Sequence, residues 1–284
     1  MTTSAELPHT IARLREMHDA QLAKLPRPPV GEVRDLRAAG VPARLYRPGP
    51  PRHGDARPLP ALVFFHGGGW ALGDVESYDP VVRALTQACD VAFVSVGYRR
   101  PPEDPFPAAV DDAAAAVEWV AAHADDLGVD PAGLGVAGES GGGQIAVAAA
   151  LRLAAAGGPP LALQLLVHPA VDLRKRPPSG PLPENLHHMI ELYLGAADRA
   201  DPEASPLLAP HLSSLPATVV TTGEFDFLRG QALEFARVLG AAGVETTLID
   251  SPGVDHGYLA WGALSRRSAE AIADLGGRVS RALR

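Results

Sequence analysis

The apolar positions of this chain follow two rhythms. Across residues 7–25, Leu7, Ile11, Leu14, Met17 or His18, Leu22 and Leu25 recur three or four apart, and Pro26, Pro28 and Pro29 follow. That spacing predicts one helix with a single apolar stripe, stopped by the prolines. Two short alternating runs, 32–36 and 43–46, read as strands at a sheet edge, and the Pro- and Gly-rich segment 48–60 reads as a loop. Beyond it the pattern becomes regular. Short apolar runs at 61–65, 91–96, 134–137, 161–167, 217–221 and 244–249 suit strands covered on both faces. Helical stretches fall between and after them, at 77–89, 108–125, 140–156, 229–242 and 263–283. Strand-helix alternation of this kind predicts an α/β fold, a mostly parallel central sheet flanked by helices and joined by right-handed crossovers. Residues 172–215 break the rhythm, with loops and one helix near 186–194. With the first 30 residues they read as an insertion over the carboxyl edge of the sheet, where open α/β sheets bind ligands.

Composition narrows the class. Of 284 residues, 46% are hydrophobic and 20% charged, which is ordinary for a globular protein. Length alone would allow two domains, but single α/β domains reach this size, and one domain over 1–284 is expected. The net charge is −8, and the longest basic cluster is Arg174-Lys175-Arg176, so a nucleic-acid partner is excluded. No apolar run approaches the ~18 residues of a membrane span. The first residues mix Glu6, Arg13, Arg15 and Glu16, unlike a signal peptide, so a cytoplasmic protein is expected. The 7–25 helix lacks the basic, Trp- or Phe-rich character of a membrane-surface helix and should pack on protein. The single cysteine, Cys89, forbids an internal disulfide and reads as a buried, inert thiol.

The chemistry concentrates in a few segments. Gly138-Glu139-Ser140-Gly141-Gly142 lies between a strand-like run and a helix former. A strand that turns into a helix within so few residues forces the serine into a strained conformation and exposes its Oγ at a helix N-terminus. The bland alternative is a Gly-rich turn with an idle serine. His66-Gly67-Gly68-Gly69-Trp70 directly follows the run 61–65. Successive glycines can turn their N–H groups inward toward a developing oxyanion; a flexible loop or phosphate cradle is the alternative, and no Lys follows to make a P-loop. A serine nucleophile needs a base, and the base an orienting acid. His256, in Asp255-His256-Gly257, lies after the last strand-like run and before the last helix, where the order Ser…acid…His puts the base. His9, His18, His53, His123 and His211 read as surface residues, and His168 precedes the acid. For the acid, Asp226 and Glu224 both follow the run 217–221 and both stay open on spacing alone. Gly133-Leu134-Gly135-Val136-Ala137-Gly138 matches a dinucleotide fingerprint by accident. Its glycines run through the strand, and no Asp or Glu lies between Glu139 and Asp172 to hold a ribose.

Together these segments resemble the bacterial hormone-sensitive-lipase-like esterases, family IV of the carboxylesterases, within the α/β-hydrolase fold. The likeness runs from about residue 41 to the end. It includes His66–Trp70, Tyr98-Arg99 with Pro102-Glu103 and Pro105–Ala108, the serine elbow, His168-Pro169-Ala170, Ser205-Pro206-Leu207, Glu224–Asp226 and Asp255–Gly257. The resemblance implies Ser140 as nucleophile, Asp226 as acid and His256 as base, with oxyanion donors at Gly68, Gly69 and Gly141. It implies that His66 braces the oxyanion loop, that Glu103 and Tyr98-Arg99 hold loops beside the elbow, and that 1–30 and 172–206 form a small, mainly helical cap. Trp70, His187, His188, Met189 and Tyr193 are the candidate substrate-pocket residues. The chain departs from the family where Gly141 replaces the usual Ala, where Gly143-Gln144 stands near the usual Asn, and where Asp226-Phe227-Leu228 replaces Asp-Pro-Leu. The extra glycine raises the prospect of a loosened elbow.

The resemblance implies a cofactor-free, metal-free hydrolase of short- to medium-chain carboxylic esters. Its partner would be a small ester, and its oligomeric state is open, a homodimer included. The rivals are a non-catalytic relative that binds a small molecule, and an amidase or acyltransferase with the same triad. The base is expected to titrate near the ordinary histidine value of about 6.5.

Overall fold

The computed structural model describes residues 7–49, 58–174 and 181–284. The remainder of the expected cap, residues 1–6 and 175–180, lies outside the described residues.

Two antiparallel strands, β1 (Glu32–Ala38) and β2 (Val41–Arg47), open the sheet. The parallel strands follow: β3 (Leu59–Phe65), β4 (Ala92–Val96), β5 (Val129–Glu139), β6 (Leu163–Val167), β7 (Ala217–Gly223) and β8 (Thr246–Ser251). They pair in the order β1-β2-β4-β3-β5-β6-β7-β8, with β2 antiparallel to β4 and every later pairing parallel. The helices are α1 (Leu7–Leu22), α2 (Asp79–Cys89), α3 (Ala108–Ala122), α4 (Ala124–Leu127), α5 (Gly141–Ala156), α6 (Pro181–Leu194), α7 (Arg229–Ala241) and α8 (Arg266–Ala282).

The strands read as continuous apolar runs because both faces are covered, and alternate residues join different cores. Ala61, Val63 and Phe65 of β3 pack with Val94, Val136, Ile145 of α5, Val117 of α3 and Phe235 of α7. Their neighbours Leu62 and Phe64 face the other way, toward Val82 and Leu85 of α2 and Leu275 of α8. A third, small cluster of Ile11, Ala71 and Met189 joins α1 and α6 to the loop after β3.

Several expected elements differ in extent, β5 most of all, which runs over Val129–Glu139 where 134–137 was expected. The single helix expected over 108–125 breaks at His123, whose ring stacks on Trp119 at 4.1 Å and whose Nδ1–H donates to the Trp119 carbonyl at 2.8 Å. The strand expected from residue 244 starts at Thr246. Gly243, at φ +85°, ends α7 in the left-handed conformation, and the Val244 N–H closes back on the Leu239 carbonyl at 3.0 Å. Among the described residues, no helix is long and apolar enough to cross a membrane.

Candidate active site

The turn from β5 into α5 leaves little room. A Cβ on Gly138 would come within 2.1 Å of the Gly142 carbonyl oxygen, and one on Gly142 within 2.1 Å of the Phe65 carbonyl oxygen. Only glycine fits either place, so strand, helix and the end of β3 close tightly around Ser140. Ser140 itself takes φ +54°, ψ −116°, a conformation L residues seldom adopt. Its N–H is tied to the Val167 carbonyl at 2.9 Å, and the surrounding contacts hold the strain.

From that elbow a chain of hydrogen bonds runs through three loops at the carboxyl edge of the sheet. Ser140 Oγ–H donates to His256 Nε2 at 3.0 Å, and His256 Nδ1–H donates to Asp226 Oδ1 at 2.9 Å. Asp226 is buried and also accepts from the Leu228 N–H at 2.7 Å and from Thr222 Oγ1 at 3.1 Å. Burial would push its pKa up. The bond from His256, the charges of His168 and His256 and the Leu228 N–H outweigh this and hold it below the ordinary value. Glu224, the competing acid, points elsewhere and accepts from the Gly253 N–H at 2.8 Å. The His256 imidazole is held below the ordinary histidine value, first by burial and then by the charge on His168, against the pull of Asp226 and Glu139. The expectation of a base titrating near 6.5 is therefore corrected downward.

Across the cleft, Gly68 and Gly69 take φ +100° and +58° in the loop after β3. The N–H groups of Gly68, Gly69 and Gly141 have no acceptor among the described residues. His66 is fully buried, donates through Nδ1 to the Gly67 carbonyl at 2.9 Å and stacks on Tyr98 at 4.3 Å. Tyr98 returns a hydrogen bond from its hydroxyl to the His66 carbonyl at 2.9 Å. Burial pushes the His66 pKa down to about 4, so the ring is a neutral brace.

The cleft beside Ser140 holds about 410 Å³ and is mostly apolar. Of the five pocket residues expected from sequence, it is lined by Met189. Trp70 and Tyr193 are buried beneath it, stacked at 4.8 Å, and Trp70 Nε1–H donates to Gln144 Oε1 at 2.7 Å. His187 turns to Glu191 on its own helix, and His188 does not reach the cleft either. These four are corrections: α6 presents Met189 and Leu186 to the cleft, which leaves His187 and His188 off it and turns Tyr193 to the core, where its ring covers Trp70 of the loop after β3. The sequence reading missed Leu14, His18 and Leu22 of α1, and Phe227 and Trp261. Two signals were available. The α1 residues lie on the helix's apolar stripe, and Phe227 is the departure from Asp-Pro-Leu, with its ring 4.2 Å from that of His256.

Glu103 reaches the loop after β3 indirectly. It touches neither the elbow nor the Gly loop directly, because its carboxylate is gripped by Arg15 of α1 through two bonds of 2.8 Å. Arg15 in turn donates to the Ala71 carbonyl at 2.8 Å, so Glu103 supports the loop through the N-terminal helix. Among the described residues, His168, Asp226 and His256 place ligand-type atoms within 4.8 Å of one another. Both His256 nitrogens and Asp226 Oδ1 belong to the chain to Ser140, and Asp226 Oδ2 accepts from Thr222 Oγ1.

A family profile for the α/β-hydrolase fold matches residues 62–260. The chain belongs to the α/β-hydrolase family. Within it the hydrolase stands with the hormone-sensitive-lipase-like carboxylesterases that its motifs resemble. It is 36% identical to the carboxylesterase NlhH of Mycobacterium tuberculosis over 277 residues, covering 90% of this chain and 86% of that one. It is 36% identical to an ethyl acetate hydrolase of Pseudomonas putida, over 82% of this chain and 76% of the relative. The structure of a Pyrobaculum calidifontis esterase superposes with a TM-score of 0.88 at 34% identity, covering 95% of this chain and 92% of the other.

Proposed function

We propose that this hydrolase is a serine carboxylesterase that cleaves short- to medium-chain esters through an acyl-enzyme. The observation that carries this reading is the chain Ser140–His256–Asp226 at a cleft that Gly68 and Gly69 also line, with Gly141 next to the serine, and none of these three glycine N–H groups has an acceptor among the described residues. Ser140 Oγ attacks the ester carbonyl while its proton passes to His256 Nε2. Asp226 fixes the tautomer by accepting from Nδ1. The glycine N–H groups take up the charge that develops on the carbonyl oxygen, a contribution of roughly 3–4 kcal/mol per donor in comparable sites. Collapse of the tetrahedral intermediate breaks the bond to the alcohol oxygen, which leaves with the proton from His256. Water, deprotonated by the same ring, then releases the acid and restores Ser140.

An apolar cleft of about 410 Å³ suits a small ester, and α1 and α6 serve as its cap. Relatives named for ester hydrolysis, one of them for ethyl acetate, support the choice of leaving group. The test is hydrolysis of p-nitrophenyl acetate, butyrate and decanoate by wild type and Ser140→Ala. Turnover lost in the variant and strongest on acetate or butyrate supports the reading. Equal turnover in both proteins contradicts the nucleophile, and a maximum at decanoate contradicts the substrate size.

A further inference from the structure

His168 stands behind the reacting chain and takes no part in it. Its side chain is fully buried at the end of β6, and its backbone sits at φ +36°, a strained place for a residue with a side chain. The imidazole lies between two buried carboxylates: Nε2 is 3.1 Å from Glu139 Oε1 and Nδ1 is 3.8 Å from Asp226 Oδ2. Nδ1 has no hydrogen-bond partner among the described residues. On its third side the ring is 4.2 Å from the ring of His256, centroid to centroid.

The geometry constrains the proton count. A neutral ring protonated on Nε2 keeps the bond to Glu139 but turns the Nδ1 lone pair toward the Asp226 carboxylate. The other neutral tautomer puts a lone pair 3.1 Å from Glu139. Either form leaves a buried acceptor facing a buried anion, which is costly where water cannot intervene. The imidazolium alone presents N–H to both carboxylates and offsets one of their two charges.

We propose that His168 is a standing imidazolium held between Glu139 and Asp226, a positioning residue that keeps His256 unprotonated and thereby sets the acid edge of the enzyme's pH range. The inference rests on His256 being the general base. A fixed positive charge beside the base opposes a second one, so His256 resists protonation in mild acid and stays ready to accept the proton of Ser140.

The surroundings fit. His168 is faced by Glu139 at the end of β5, Asp226 after β7, and His256, Asp255 and Tyr258 after β8. Glu139 is faced in addition by the Tyr78 hydroxyl. His256 is faced by Ser140, Asp226, His168 and the Phe227 ring. Burial alone would lower the His168 pKa. The bond to Glu139 and the charges of Asp226, Glu139 and Asp255 raise it above the ordinary histidine value. The His256 pKa moves the opposite way, with burial and the His168 charge acting together.

Two measurements test the proposal. Nitrogen-15 NMR of the histidine side chains in wild type should show both ring nitrogens of His168 carrying protons at neutral pH, and a single proton there would overturn the assignment. In His168→Gln, whose amide can still donate to Glu139, the acid limb of kcat/KM for p-nitrophenyl acetate should move up by about one pH unit. That is roughly a tenfold loss relative to the plateau at any pH well below both limbs. A limb that stays in place while the rate falls would show a merely structural residue. The NMR arm needs no turnover and can be repeated in Ser140→Ala, so it stands even if the esterase reading fails or His168→Gln does not fold.

Discussion

The indole of Trp70 occupies the space that a side chain on residue 141 would need. A Cβ on Gly141 would lie 3.0 Å from the nearest indole carbon. Trp70 cannot easily give way, since Tyr193 stacks on it at 4.8 Å and Gln144 accepts from its Nε1–H at 2.7 Å. Gly141 and Gln144, two departures from the family pattern, thus belong to one arrangement. Gln144 holds the indole in place and Gly141 makes room for it. The indole of Trp70 fills the space beside Gly141 at the elbow.

Gly141→Ala should therefore act as overpacking, with a loss of about 1–3 kcal/mol in stability and a reduced rate, because residue 141 is also one of the proposed oxyanion donors. Trp70→Phe should relieve part of that cost. Thermal melts of the wild type, both single variants and the double variant check this. Destabilisation in the double variant smaller than the sum of the singles is expected. Strictly additive effects would mean that the two residues do not compete for space.

The pH profile follows from His256. Its pKa is held below the ordinary 6.5 by burial and by the charge on His168, so the neutral, proton-accepting form persists further into acid. The acid limb of kcat/KM should be centred below 6.5, with the rate already level at neutral pH. A limb centred at or above 6.5, measured on p-nitrophenyl acetate in constant-ionic-strength buffers, would contradict this geometry.

How much of this was legible beforehand depends on whether neighbours in sequence or neighbours in space make the feature. The elbow, the Gly loop and the loop carrying His256 are contiguous segments whose glycines are dictated by local backbone, and all three stood out. Glu139 and His168 are 29 residues apart. They meet because Glu139 pairs in register with Val167 across β5 and β6, and the residue after Val167 then faces it. No local pattern carries that information. The cleft lining was misread for a similar reason. α6 turns Met189 toward Ser140 and Tyr193 toward Trp70, a choice made by packing against α1 and the loop after β3. Asp226 and Glu224 were inseparable by spacing, and only the loop conformation sends one to His256 and the other to Gly253.

Arg15 fastens α1 over the cleft. It grips Glu103 with two bonds and reaches the carbonyls of Ala71 and Pro101. Arg15→Ala should lower stability by about 1 kcal/mol, since Glu103 is well exposed. KM should rise more than kcat falls, because α1 lines the cleft and carries none of the reacting groups. The hydrogen bond from Arg15 holds the Glu103 carboxyl down at about 2. The pair's contribution is therefore complete above the ordinary carboxylate range and is lost as pH falls toward about 2. The difference in Tm between wild type and Arg15→Ala should accordingly shrink on going from neutral pH to about 3. A difference that does not change with pH would argue against the ion pair.

A nucleophilic Ser140 becomes covalently acylated, and it can be trapped in that role. The enzyme is treated with a dialkyl p-nitrophenyl phosphate, which esterifies an activated serine hydroxyl and releases p-nitrophenolate, and is then analysed by intact and peptide mass spectrometry. One adduct per chain is expected, on the peptide that carries Ser140, with loss of esterase activity in step with labelling and no label in Ser140→Ala. A label on another residue, or full activity after Ser140 is labelled, would contradict the account.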